Sequence, residues 1–253
     1  MASKTASATT SALSIPSRFR GPSGSGNGGY ACGRAAAYVS PPATVTLRRP
    51  PPLDTALAVE PDRDGSVRVS DGATLIAEAR PAPDAPDLEI PGPVSAEQTA
   101  AAAGRSRYFQ DPVFPGCFVC GPAREPGDGL RIFPGPVAGG ELWAAPWTPD
   151  SSVAGTDGRA RAEIVWAALD CPGGIAAADA AGLDTAIVLG RMTARLVRRP
   201  EAGQPCRVIA WPAGRDGRKL TAFSALLGPG GDVLAAARTV WLTVPRPSSG
   251  ETS

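Results

Sequence analysis

The chain has 253 residues, with 25 basic against 24 acidic groups, five cysteines and no histidine. The missing imidazole excludes Ser-His-Asp and Cys-His nucleophiles, His-ligated catalytic zinc and a His–carboxylate dehydratase pair. A formal net charge of +1 argues against a nucleic-acid partner, which requires a clustered cationic surface. Any catalysis must therefore rest on carboxylates, hydroxyls, thiols or backbone dipoles.

The first 14 residues include 11 Ala, Ser or Thr, and residues 1–18 are expected to form a disordered tail. No apolar signal core follows a basic start, and no run approaches the length of a membrane span. An odd, low cysteine count without the spacing of a disulfide scaffold predicts reduced thiols and a cytoplasmic location, with no membrane partner.

A first helix is expected over Gly28–Val39, opened by Asn27 as N-cap, and a meander of strands follows. Segment Pro81–Pro93 carries five prolines in 13 residues, so 81–116 reads as a Pro-rich linker with a short helix between a shortened first repeat, 19–80, and a second repeat, 117–245. Residues 246–253 read as a second tail. The repeat itself is visible across that linker. Arg48-Arg49-Pro50 returns as Arg198-Arg199-Pro200, Arg63-Asp64-Gly65 as Arg215-Asp216-Gly217, and Leu75–Arg80 as Val233–Arg238, at offsets of 150, 152 and 158. Offsets that grow only at turns are the mark of duplication with loop insertions.

The second repeat opens on Cys117-Phe118-Val119-Cys120-Gly121-Pro122 and a strand expected at Arg131–Phe133. A helix over Ala162–Ala181, broken at Pro172-Gly173-Gly174, follows and has almost no polar face, which predicts burial on most sides. One acid, Asp170, interrupts its apolar run. A buried carboxylate costs several kcal/mol unless paired or used, so it is either a functional acid or a hydrogen-bonded partner of the backbone break. Cys117 and Cys120 lack a second C-x-x-C or a histidine to close a zinc site, and with Cys32, Cys171 and Cys206 scattered singly they read as packing thiols. No metal and no cofactor are expected.

The order of helix, then strands, with Arg-Pro ending the first strand, resembles the hotdog fold. Together with Asn27-Gly28-Gly29-Tyr30, Trp166-Ala167-Ala168-Leu169-Asp170 and the Cys117–Leu130 lead-in, the tandem copies resemble double-hotdog acyl-CoA thioesterases over about Phe19–Val244. The resemblance implies an α+β fold in which antiparallel sheets each wrap a central helix, and one chain standing for a hotdog dimer or assembling into a higher homo-oligomer. It implies thioester hydrolysis, with acyl-CoA or an acyl-carrier thioester as partner. Asp170 becomes the general base or nucleophile, and the amides of Gly28 and Gly29, with Asn27, the oxyanion site. The glycines alone could equally serve tight helix packing. Tyr30 and the reserve acid Glu163 are candidate substrate contacts. Arg48, Arg49, Arg198 and Arg199 could receive coenzyme A phosphates, because guanidinium forks match phosphate oxygens, or could be a solvated rim. The alternative function is a non-catalytic acyl-thioester or lipid-binding hotdog protein, which needs no carboxylate at 170. A hydratase is disfavoured for want of histidine.

Overall fold

The computed structural model describes residues 11–83, 85 and 88–246. In chain order its elements are β1 (Ser11–Leu13), α1 (Gly28–Ala36), β2 (Ala43–Leu47), β3 (Leu57–Pro61), β4 (Val67–Asp71), β5 (Thr74–Pro81), α2 (Ala96–Ala103), α3 (Arg107–Gln110), β6 (Gly135–Pro136), β7 (Trp143–Trp147), α4 (Ala162–Ala180), β8 (Ala186–Leu196), β9 (Cys206–Asp216), β10 (Lys219–Leu227) and β11 (Val233–Val244). All 11 strands described join one antiparallel sheet in the order β1-β3-β4-β5-β2-β8-β11-β10-β9-β7-β6.

Inside its outer strands, that order is a palindrome about the β2–β8 pair. Strands β3-β4-β5-β2 on one side mirror β9-β10-β11-β8 on the other, so two meanders are joined edge to edge. Thr44 stands opposite Thr193 at the centre, their hydroxyls 2.7 Å apart across 149 residues of sequence. The flanking pairs Ala43–Ala194 and Val45–Met192 exchange places under the same rotation, which puts Thr44 and Thr193 on a pseudo-twofold axis. The backbone repeats this spacing. The N–H groups of Arg48 and Arg49 both donate to the Ile76 carbonyl, and those of Val197 and Arg198 both donate to that of Leu234. The Arg-Arg-Pro triplets are thus displaced by one residue from their sequence match, while Ile76 and Leu234 keep theirs.

Helix α4 packs on β8, β9, β10 and β11, and α1 on β2, β5 and β8, with the two helices against each other. Burial on almost every side explains why α4 runs through Pro172 rather than breaking there. Gly174 faces the Trp241 ring and Gly173 the Thr239 hydroxyl, so closely that an added Cβ would lie 2.7 and 2.9 Å from them. Packing holds the helical path where local propensity opposes it. Helix α1 is shorter than expected and stops at Ala36.

Three further expectations change. Within the anticipated N-terminal tail, Ser11–Leu13 pairs with β3, and Leu13 and Ile15 are buried in the core. Only 1–10 of that tail, and 247–253 of the other, lie outside the described residues. Arg131–Phe133 is not a strand: Arg131 adopts a φ of 54°, and the segment is held by single bonds from Leu130 N–H to Phe118 O and Ile132 N–H to Val119 O. The 81–116 segment carries not one helix but two, α2, opened by a Ser95–Gln98 capping box, and the short α3. It is not a free spacer, since Val94 and Ala102 enter a small core with Leu142, Ile209 and Trp211 of the second repeat.

Candidate functional site

The N-terminus of α1 points across the repeat boundary into the middle of α4. Asn27 caps α1 by accepting the Tyr30 N–H at 2.9 Å, which leaves its amide group to donate to Asp170 Oδ2 at 3.1 Å. The Gly29 N–H donates to the same oxygen at 2.8 Å. Such proximity requires glycine, because a Cβ on residue 29 would lie 2.4 Å from Asp170 Cβ and 2.8 Å from the Trp166 carbonyl. Gly29 thus serves close packing, and its N–H and the Asn27 amide, expected at the oxyanion site, are instead taken up by the acid, which leaves Gly28 as the helix-terminal amide facing the cavity.

Asp170 is 1% exposed, and its Oδ1 is buried without a hydrogen-bond partner. Burial raises its carboxyl to about 7 against the opposing Gly29 and Asn27 hydrogen bonds, with the Cys117 sulfur adding to the rise. The Gly28 N–H is the first of the helix and has no protein acceptor among the described residues. A free amide at a helix N-terminus is a ready donor to developing negative charge.

Asn27, Gly28 and Asp170 lie on the wall of a cavity of about 480 Å³. Its remaining surface is mostly apolar, from Val113, Phe114, Ile175, Ile187, Leu189 and Trp241, and Arg48 and Arg49 stand at its exposed edge. Arg48 is engaged by Glu78. Arg49 has no acidic partner among the described residues.

The other candidate substrate contacts are elsewhere. Tyr30 is in the core, stacked on Phe19 at 4.0 Å between centroids. Glu163 pairs with Arg161 at 3.0 Å near the start of α4 and does not line the cavity. Arg198 pairs with Asp232 and Arg199 with Asp157, both away from it. These positions correct the expectation that Tyr30, Glu163, Arg198 and Arg199 touch a ligand in this cavity. Charge pairing takes up Arg198, Arg199 and Arg48, and leaves Arg49 as the arginine of the two Arg-Arg-Pro triplets without an acidic partner among the described residues.

Sequence reading also separated what the fold unites. Cys171 lies beside Cys117 and Cys120, and the three sulfurs are within 4.8 Å of one another on the cavity wall. Tyr108, Val113 and Phe114, counted within the linker, line the same cavity. Its aromatic content against an otherwise Ala-Pro segment was the available signal.

No protein-family model and no curated protein matches the sequence. Solved structures do. An acyl-CoA thioesterase II, TesB2, from Mycobacterium marinum superposes over 98% of this chain and 96% of its own, at 14% identity and a TM-score of 0.59. The TesB protein of Mycobacterium avium subspecies paratuberculosis does so over 87% of each chain, at 12% identity and a TM-score of 0.54. With near-complete coverage and a sheet that is palindromic about its centre, the chain has the α+β double-hotdog fold.

Proposed function

We propose that the protein hydrolyses acyl thioesters, with acyl-CoA as the substrate class. The observation that carries this reading is a buried carboxylate with one unpartnered oxygen beside a free helix-terminal amide, both on the wall of an apolar cavity. The acyl chain occupies the apolar part, and the thioester carbonyl accepts the Gly28 N–H. Asp170, oriented by Asn27 and Gly29 through Oδ2, takes a proton at Oδ1 from water as that water attacks the carbonyl carbon. The tetrahedral intermediate then expels the thiolate, which takes up the proton held by Asp170. Arg49, without an acidic partner among the described residues, meets phosphate groups of the leaving portion. That an acyl-CoA thioesterase II structure shares the fold supports the reading.

Thioester release should be measured over a series of acyl lengths with the wild type, Asp170→Asn and Glu163→Gln. Asp170→Asn keeps size and most hydrogen bonding, and is expected to lower turnover about 100-fold or more with acyl-CoA binding retained. Glu163→Gln is expected to stay within about twofold, because its salt bridge is partly solvated. Full activity in Asp170→Asn would remove the acid from the mechanism. Binding of several acyl thioesters with no cleavage by the wild type would replace the enzyme with a binding protein.

A further inference from the structure

Beside the acid, the same cavity wall holds three cysteines that the hydrolytic reading does not use. Cys117 and Cys120 come from the loop that opens the second repeat, and Cys171 from α4, 54 residues beyond Cys117. Their sulfurs lie within 4.8 Å of one another, and the Cys117–Cys171 separation is 3.8 Å. Two thiolates bound to one tetrahedral ion at about 2.3 Å each stand about 3.8 Å apart. The Cys117 and Cys171 sulfurs therefore already have the spacing of two ligands on one ion, with the Cys120 sulfur within 4.8 Å of both.

The loop is built to hold them. The Cys117 and Cys171 thiols are in hydrogen-bond contact, and either can donate to the other. The Gly121 N–H closes the turn on the Cys117 carbonyl at 2.9 Å. A Cβ at 121 would lie 2.4 Å from the carbonyls of Cys117 and Pro115, so this path admits only glycine after the second cysteine. The Asn27 amide nitrogen is 3.9 Å from the Cys117 sulfur and 3.8 Å from that of Cys171. Amide donors around a sulfur supply the outer contacts that orient and stabilise a metal-bound thiolate. A second observation is independent of the thiols: Asp170, 1% exposed, offers an oxygen with no protein partner next to the cluster.

We propose that Cys117, Cys120 and Cys171 form a three-thiolate site for a thiophilic divalent cation of the zinc class. Its fourth position opens on the cavity, where a water can bond to Asp170 Oδ1. Three soft ligands and no imidazole select zinc-like ions over magnesium or calcium, which take oxygen ligands. Binding releases the thiol protons, so it strengthens as pH rises. The inference does not depend on thioester hydrolysis.

The test uses the full chain, reduced, freed of metal and titrated with Co²⁺ and then Zn²⁺. The expected result is one ion per chain, with thiolate-to-cobalt charge-transfer bands that zinc displaces. Zinc should also protect Cys117, Cys120 and Cys171 from alkylation, read by peptide mass, and leave Cys32 and Cys206 as they were. Cys171→Ser or Cys120→Ser should weaken binding about 100-fold, whereas Cys206→Ser should not change it. If the serine variants do not fold, the cobalt spectrum and alkylation map of the wild type decide alone. Absence of thiolate bands, zinc binding without protection of these three residues, or a disulfide between two of them that withstands mild reductant would each overturn the proposal.

Discussion

The two repeats share a strand plan and differ in their helices. Aligning the first helical residues, Gly28 with Ala162, sets Asn27 against Arg161, Gly29 against Glu163 and Asp170 against Ala36. The contacts obey this alignment, because Gly29 lies over Ala167 and Gly33 over Glu163. A symmetric pair of helices would generate two equivalent sites, each with one repeat's helix start facing the other's acid. Only one is assembled. Its reciprocal has alanine for the acid, and an Arg161–Glu163 pair where the first helix has its amide cap and glycine. Duplication thus supplied two frames, and divergence placed the donors on the short helix and the carboxylate on the long one. The first repeat could shorten α1 to nine residues because what it contributes is the helix start.

The sharpest break of this comparison is to exchange the acids. With Asp170→Asn lowering acyl-CoA turnover about 100-fold or more, adding Ala36→Asp should recover none of it, since the reciprocal helix start has no Asn-Gly-Gly donors. Any recovery in a thioester-release assay would show the second half-site to be competent. Next in size is Gly29→Ala. Its new Cβ meets Asp170 and the Trp166 carbonyl, and overpacking of this kind costs about 1–3 kcal/mol. Thermal unfolding should fall by several degrees with activity lost, whereas Glu163→Ala at the equivalent position should move the melting temperature little.

Arg49→Ala should raise KM for acyl-CoA about fivefold, less at high salt, with kcat nearly unchanged. Arg199→Ala, already paired with Asp157, should leave KM alone, and an equal rise in both would dissolve the asymmetry at the opening. The smallest effect lies on the axis. Thr44→Val or Thr193→Val should each cost about 1 kcal/mol in denaturant unfolding, and the double variant less than the sum, because the hydroxyls satisfy each other.

Much of this was legible in the sequence. The repeat could be read because its turns keep Asp-Gly and Arg-Arg-Pro punctuation, and Asp170 because one acid stands in an apolar run. The one-residue shift of Arg-Arg-Pro could not, since it is set by which carbonyl the strand end meets. Pro172-Gly173-Gly174 misleads because its local propensity is overridden by contacts with Trp241 and Thr239, more than 60 residues later. The thiol cluster escapes for the same reason. Cys171 looks solitary until α4 is laid against the loop at Cys117. Ser11–Ile15 passes for tail because it continues an Ala/Ser/Thr-rich start with no turn signal of its own, yet Leu13 and Ile15 are buried.

The pairing of β2 with β8 has a consequence for how the chain acquires its structure. It joins residues 149 apart, so its loop-closure entropy is among the largest the fold must meet, and contacts of this span slow folding. The bond from Gly29 to Asp170 spans 141 residues and depends on the same closure. A half-folded chain, with either meander formed alone, would have neither an oriented acid nor a closed cavity. Recovery of thioester cleavage during refolding should accordingly coincide with the slowest structural phase and never precede it.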